Sequence, residues 1–286
     1  MKIISWNIAH RCEPWRCLLD MDADIALLQE AAEPPSGVSQ RIEVDSGPWN
    51  TAGGGGGLGW RAAVVKLSEE VRVDWIEAKP ISKAVSGDFA VSQAGTLAAA
   101  RVTPASGKPL IVISMYAPWT RPHASTKSSW IISDISAHRL VSDLSAFIGR
   151  QRNHRIIAAG DLNILYGYGD HGSPYWKRRY QTVFDRMDAI GLPIAGPWAP
   201  NGQQASPWPE ELPQESRNVP TYRTNRKEPK TAKRQLDFVF ASKSLAESVS
   251  VRALNEPDQW GPSDHCRLQI EISTGGSHEG SNQTWA

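Results

Sequence analysis

Cysteine is scarce: the 286-residue chain holds three, Cys12, Cys17 and Cys266. Their spacing matches no metal finger, and an odd number leaves one unpaired in any disulfide scheme, so neither is expected to hold the fold together. A reduced, cytoplasmic setting fits this usage. An excess of charge is also missing, with 31 basic residues against 30 acidic and a net charge of +1. No global field then attracts or repels a polyanion, and any nucleic-acid site must come from local clustering. No apolar run approaches the roughly eighteen residues of a membrane span, so no membrane is expected as a partner. The opening MKIISWNIAH begins a strand pattern at Lys2, leaving no room for the regions of a signal peptide. Internal repeats are absent.

What is present is a strand-rich pattern. Short apolar runs recur as KIISWNI, DIALLQ, RAAVVKL, VRVDWIEA, TLAAARV, PLIVISMY, RIIAAG, LDFVFAS, VSVRAL and CRLQIEI. Several alternate in period two, which leaves one face wet or partly covered, whereas PLIVISMY and RIIAAG read as buried on both faces. Mixed sheets are the expectation. Two helices stand out. One spans 129–150, where Ile131, Ile135, Leu144, Phe147 and Ile148 recur at helical spacing. The other spans 175–190, with Pro174 suited to the first turn and Gly191 to the stop. A shorter helix is expected near Pro14. With 40% hydrophobic residues the chain can bury one sizeable core. The expected fold is α/β: a four-layer α/β/β/α sandwich with two mixed sheets in one domain over 1–273, followed by a flexible tail at 274–286.

Two stretches resist this order. At 51–60 the sequence TAGGGGGLGW carries the glycine run 53–57, a loop of maximal backbone freedom. A phosphate cradle would need the terminal Gly-Lys-Ser/Thr of a P-loop, which is missing. Over 191–234 come Pro193, Pro197, Pro200, Pro207, Pro209, Pro213, Pro220 and Pro229, too dense for a helix. A connection this long is expected to be a binding loop or disordered.

The chemistry gathers where strands end. RIIAAGDLN runs a buried strand through a glycine into Asp161 and Asn163, two positions apart at a sheet edge, where α/β proteins place their sites. Asn7 follows IISW, Glu30 follows IALLQ, Asp237 precedes FVF, and Ser263, Asp264 and His265 precede the last strand. Each has a purely structural reading: an Asx turn at Asp161, a turn charge at Glu30, an N-cap at Asp264. Taken together, buried oxygen ligands with one histidine need a cation or partner. Mg²⁺, or equally Mn²⁺, suits Glu30 with Asp264 or Asn7 better than a zinc cage.

The chain resembles the endonuclease/exonuclease/phosphatase superfamily, in particular its exonuclease III-like and apurinic/apyrimidinic endonuclease branch. SWNI, LLQE, SMYAP, GDLNI, LDFVFAS and SDHC occur in family order across almost the whole chain. The resemblance implies a metal-dependent phosphodiesterase fold with its site at one end of a β-sandwich. Phosphodiester hydrolysis needs an activated water, charge neutralisation at phosphorus and help for the leaving oxygen. Asp161 would orient or deprotonate the water. Asn163 would hold Asp161 or donate to a phosphate oxygen. His265 would stabilise charge on the phosphate, with Asp237 fixing its other ring nitrogen. Tyr116 would hydrogen-bond the phosphate or leaving group, and Glu30, Asn7 and Asp264 would hold the metal. The chain departs from this pattern at Ala9 and His10, where repair nucleases often carry a glycine and a small polar residue, and at Trp119, where relatives usually carry a polar residue. No counterpart of the abasic-site recognition loops follows GDLN, so the chemistry carries over and the abasic specificity does not.

For substrate, SPYWKRRY and TYRTNRKEPKTAKRQ concentrate positive charge among Tyr175, Trp176, Tyr180 and Tyr222. Phosphate pairing and base stacking use such mixtures. Trp119, Arg178, Arg223 and Arg226 are the expected substrate contacts, with His10, His123 and His171 on adjoining loops. The expected function is a divalent-metal-dependent nuclease acting on DNA, in preference to RNA, by one-step water attack. The alternatives are a phosphatase or phosphodiesterase for a small metabolite or lipid headgroup, and a non-catalytic nucleic-acid binder that keeps the fold.

Overall fold

The computed structural model describes residues 1–51, 59–120, 132, 134–148, 154–224 and 226–273. The glycine run 53–57, His123, part of the segment expected to be the 129–150 helix, and the 274–286 tail lie outside them.

Period-two alternation builds the sheets. In β1 (Lys2–Asn7), Ile3 points one way, while Ile4 and Trp6 point the other. β2 (Ile25–Ala31) repeats this, with Ile25 and Leu27 against Ala26 and Leu28. These strands are buried on both faces. β3 (Glu43–Val44), β4 (Arg61–Lys66), β13 (Val249–Leu254) and β14 (Arg267–Ile272) complete a six-stranded sheet, in the order β13-β14-β1-β2-β4-β3. β1 and β2 are parallel within it and the remaining pairs antiparallel.

The second sheet contains β5 (Val71–Ile76), β8 (Leu97–Pro104), β9 (Leu110–Tyr116), β10 (Ile156–Asp161), β11 (Ile194–Gly196) and β12 (Asp237–Ala241). Its order is β11-β12-β10-β9-β8-β5, with only β9 and β10 parallel. β6 (Ala78–Pro80) and β7 (Phe89–Val91) form a separate parallel ribbon.

Between the sheets lies an apolar core of Ile3, Leu27, Val64, Val112, Ile157 and Val239, among others. The outer face of the first sheet packs Trp6, Ala26 and Leu28 against Trp15 and Leu18 of α1 (Cys12–Leu18), near the four-residue α2 (Ser36–Ser39). The outer face of the second packs Ile113, Ala158, Phe238 and Phe240 against α3 (Asp134–Ile148) and α4 (Pro174–Ala189). The result is the expected α/β/β/α arrangement of two mixed sheets. Pro174 occupies the first turn of α4, where a missing amide hydrogen costs nothing, and Ser173 accepts from the Trp176 amide as its cap.

Two expectations change. The 129–150 helix starts later among the described residues: Ile132 forms a bridge with Thr120, its amide donating to the Thr120 carbonyl at 2.7 Å, and helix begins at Asp134. Apolar spacing alone cannot separate a helical first turn from a strand-like approach to it. The proline-rich 191–234 stretch, expected to be a binding loop or disordered, is held in place where described, which leaves the binding-loop alternative standing. It contributes β11, and buried amides stitch it down: Gln235 donates to the Pro197 carbonyl and accepts from the Val219 amide, while Asn218 donates to the Tyr166 carbonyl. With so many prolines unable to donate, side-chain amides take over the bonding.

Candidate active site

Register builds the first row of the site. β9 and β10 pair so that Tyr116 lies opposite Asp161, and β10 and β12 pair so that Asp237 lies opposite Asp161. Three of the expected site side chains are thereby adjacent at one end of the second sheet. Gly160 is required just before them. It has φ +154°, and a Cβ there would stand 1.8 Å from the Met115 carbonyl oxygen of β9.

The first sheet supplies the facing row. Asn7 closes β1 and is paired with Gln29 of β2. Strict alternation would carry the next residue, Glu30, to the opposite face. A bulge intervenes: Leu28 pairs with Ala63 and Ala31 with Arg61, so β2 carries one extra residue, and Glu30 has φ +48°. Bulges re-aim side chains in this way, and the Glu30 carboxylate turns to meet Asn7. Gln29 beneath it donates to Ser114 Oγ at 3.0 Å, and Ser114 donates to the Leu28 carbonyl at 2.6 Å, a polar tie across the sandwich directly under the site.

Asn7 joins the two rows. Its Nδ2 donates to Glu30 Oε1 and to Asp161 Oδ2, each at 3.0 Å, and its Oδ1 accepts from the Ala9 amide. Asp161 is fully enclosed. Oδ1 accepts from the Asn163 amide at 2.9 Å and Oδ2 from Asn163 Nδ2 at 3.1 Å. The Asx turn expected at Asp161 is therefore formed. Burial pushes the Asp161 carboxyl up to about 8, with the charge of His265 working against that rise. Both protons of the Asn163 amide are committed, to Asp161 and to the Ala117 carbonyl, and its oxygen accepts from the Trp119 indole at 2.6 Å. Of its two expected roles, holding Asp161 is the one this bonding supports.

His265 sits between two acids. Nδ1 lies 2.8 Å from Asp237 Oδ2 and Nε2 lies 3.8 Å from Asp161 Oδ2. Burial alone would favour the neutral ring, but the charges of Asp237 and Asp161 outweigh it and raise the imidazole to about 10. Ser263 places the residue: its hydroxyl donates to the Asn7 carbonyl and accepts from the His265 amide. Thr221 Oγ accepts from the amides of Leu236 and Asp237, fixing the start of β12. Neither Thr221 nor Ser263 was expected as a positioning residue. Ser263 stood visibly beside Asp264, whereas nothing local marked Thr221. Tyr116 is buried beside Glu30 and Asp161, and burial with those charges holds its phenol protonated.

The expected metal residues are arranged unequally. Glu30 lies with Asn7, and although burial opposes ionisation, hydrogen bonds from His10 and Asn7 pull its carboxyl below the usual range. Asp264 is half-buried; its carbonyl accepts from the Arg223 amide at 2.9 Å, whereas its carboxylate receives only a long 3.4 Å bond from Ser263 Oγ among the described residues. Among the described residues, the acids and histidine whose ligand atoms fall within 4.8 Å of one another are Asp161, Asp237 and His265. The donors nevertheless suit a divalent cation: the buried carboxylates Asp161 and Asp237 and the partly exposed Glu30 outnumber the one buried imidazole, and oxygen dominates, as hard ions require.

A groove of about 690 Å³ opens beside these residues, lined by Trp119, Asn163, Tyr222, Lys227, Lys233 and Arg234 among others. Trp119 is 57% exposed on its wall, and the Tyr222 ring lies 5.0 Å from that of His265. The four expected substrate contacts divide. Trp119 and Arg223 line the groove, though the Arg223 guanidinium donates to the Lys227 and Ser263 carbonyls and so braces its own loop. Arg178 lines a separate, shallow hollow with Asp134, His138 and Tyr175, because α4 turns it away from the groove. Arg226 is exposed in a left-handed turn, φ +71°, outside the lining.

Known proteins bear on this arrangement. No curated protein matches the sequence significantly. The fold resembles the endonuclease domain of TRAS1, a telomere-specific non-LTR retrotransposon, with TM-score 0.58 and 16% identity over 95% of this chain and 97% of that one. It also resembles the Xenopus laevis APE2 catalytic domain, with TM-score 0.59 and 17% identity over 95% and 91%. A third likeness, to the 3′ phosphatase NExo from Neisseria bound to product DNA hairpin, has TM-score 0.51 and 18% identity over 96% and 99%. At such identities the likeness is one of fold. The family model described as Endonuclease/Exonuclease/phosphatase family matches residues 4–265, spanning every residue of the site from Asn7 to His265, and the chain belongs to that family.

Proposed function

We propose that this protein is a divalent-metal-dependent phosphodiester hydrolase whose substrate is nucleic acid, DNA in preference to RNA, cleaved by one-step water attack. One observation carries the reading: Asn7, Glu30, Tyr116, Asp161, Asn163, Asp237 and His265 meet in one pocket, beside a groove walled by Lys227, Lys233, Arg234 and Trp119. The activities that name two of the structural likenesses, an endonuclease and a 3′ phosphatase bound to DNA, point the same way.

Asp161 orients the attacking water and takes its proton. A carboxyl raised by burial toward neutrality is a stronger base than an exposed one, which suits that task. Asn163 holds it in position. His265, kept cationic by Asp237, stabilises negative charge growing on the phosphate oxygens. The protonated Tyr116 donates to the phosphate or to the leaving oxygen. Glu30 and Asn7, with Asp264, would hold the cation, Mg²⁺ or Mn²⁺. When bound, that ion supplies Lewis-acid neutralisation of the phosphate. Three free cysteines support the cytoplasm as the working compartment.

The test is a panel of labelled single- and double-stranded DNA, abasic DNA, RNA and a generic phosphodiester, incubated with Mg²⁺ or with chelator. Cleavage of DNA that stops in chelator supports the reading. Cleavage of the generic ester alone, indifferent to added DNA, replaces it with a small-metabolite phosphodiesterase. For Asp161→Ala, a fall of about a thousandfold in turnover is expected, with folding and DNA binding retained. A folded variant that cuts as fast as the parent removes Asp161 from its role.

A further inference from the structure

Resting on the metal-dependent reading above, we infer that His10 is an additional ligand of the metal site, and that its ring nitrogen biases the site toward Mn²⁺ over Mg²⁺. His10 Nε2 lies 2.7 Å from Glu30 Oε2, with 40% of its side chain and 20% of that of Glu30 accessible. Adjacent ligands of one octahedral shell, with bonds of about 2.1 Å, stand about 3 Å apart. The nitrogen and the carboxylate oxygen thus already have the separation of neighbouring donors.

One ring contact and two backbone hydrogen bonds fix the residue there. It stacks on Trp60, with centroids 4.0 Å apart and planes 28° apart. Its amide donates to the Glu30 carbonyl at 2.9 Å. The preceding amide, of Ala9, donates to Asn7 Oδ1, so the loop carrying His10 is fastened to two of the residues proposed to hold the cation. Ala9 and His10 have φ +49° and +58°, a left-handed pair without a glycine. That conformation is unfavourable for both residues and is maintained by these contacts. Its effect is to fold the imidazole back over Glu30.

The donor chemistry then decides the preference. Mg²⁺ takes oxygen and rarely accepts imidazole, whereas Mn²⁺ stands higher in the affinity order for mixed nitrogen and oxygen sites. A neutral His10 with its proton on Nδ1 presents a lone pair on Nε2 beside Glu30. Binding would break the Nε2–H bond that serves the contact with Glu30, pass its proton to Nδ1 or to solvent, and give the freed lone pair to the ion.

The experiment reads metal binding directly. Mn²⁺ is titrated into the full-length protein and followed by electron paramagnetic resonance of the free ion, with Mg²⁺ affinity obtained by competition. Wild type is compared with His10→Gln, which keeps a polar amide near Glu30 but offers no ring nitrogen. The expected result is a tenfold or greater loss of Mn²⁺ affinity with Mg²⁺ affinity changed less than threefold. Wild type loaded with Mn²⁺ should also show nitrogen coupling by electron spin echo envelope modulation, absent from His10→Gln. Equal loss of both ions, no loss of either, or coupling that persists in the variant overturns the inference. Absence of nitrogen coupling in wild type overturns it whatever the variant does. Wild type that binds neither ion sinks the metal-dependent hydrolase as well, which separates the two failures.

Discussion

At the scale of single residues, the site is a chain of hydrogen bonds in which most members have no spare capacity. Asn163 spends its whole amide on Asp161, Ala117 and Trp119. Asn7 commits both amide protons, to Glu30 and Asp161, while its oxygen accepts from Ala9 and keeps a second lone pair for a cation. His265 is the member whose protonation matters to folding. Its folded pKa of about 10 exceeds the ordinary 6.5, so the ion pair with Asp237 contributes stability fully below pH 6.5 and loses it as pH rises through 10. Urea unfolding of wild type against His265→Gln should therefore show the largest advantage for wild type near pH 6, shrinking steadily toward pH 10. A constant difference across that range would mean that the ring is neutral when folded. Thr221→Val strips the acceptor from two buried amides at the start of β12. Unsatisfied buried donors cost about 1–3 kcal/mol each, and the same unfolding measurement should report a loss of at least about 2 kcal/mol.

At the scale of elements, two local departures from regular geometry place the chemistry. The β2 bulge turns Glu30 inward, and Gly160 lets β10 approach β9 closely enough for Tyr116 and Asp161 to pair. A methyl group at Gly160 would overlap the Met115 backbone, and backbone cannot be displaced as a flexible side chain can. Gly160→Ala is expected to lower stability by at least about 3 kcal/mol, measured by thermal or urea unfolding. A near-neutral result would show that β9 and β10 can separate without loss. Motif and strand are legible in the sequence here: all ten apolar runs form strands. The short β3, β6, β7 and β11 were not, because two- or three-residue strands carry no measurable alternation and exist only through their partners. The start of α3 departs from the apolar spacing for a related reason, since Ile132 pairs with Thr120 instead of joining the helix.

At the scale of the whole molecule, a near-neutral protein, with net charge +1, gathers Lys227, Lys233 and Arg234 along one groove beside the acidic pocket. If those groups contact phosphates, the logarithm of DNA affinity should fall linearly with the logarithm of salt. Replacing Lys233 and Arg234 together by Gln should reduce the slope by about 1.4–1.8, at 0.7–0.9 per phosphate contact. An unchanged slope, measured by fluorescence anisotropy with catalysis suppressed by chelator, would move the DNA elsewhere. Arg178 provides an internal control, because it faces a different hollow and its replacement should leave the slope unaltered.

The amino-acid order determined which residues could take part. Strand-terminal positions of Asn7, Glu30, Asp161 and Asp237, and the Ser263-Asp264-His265 turn, follow from apolar runs stopping where polar residues begin, a local property of the chain. Tertiary structure alone decided how these residues are arranged. Cross-strand register set Tyr116 and Asp237 on either side of Asp161, and a single bulge and a left-handed turn brought Glu30 and His10 together. α4 turned Arg178 away, and Thr221 became the anchor of β12. These outcomes depend on contacts between residues far apart in the chain, whose distances arise only when the two sheets close on their common core.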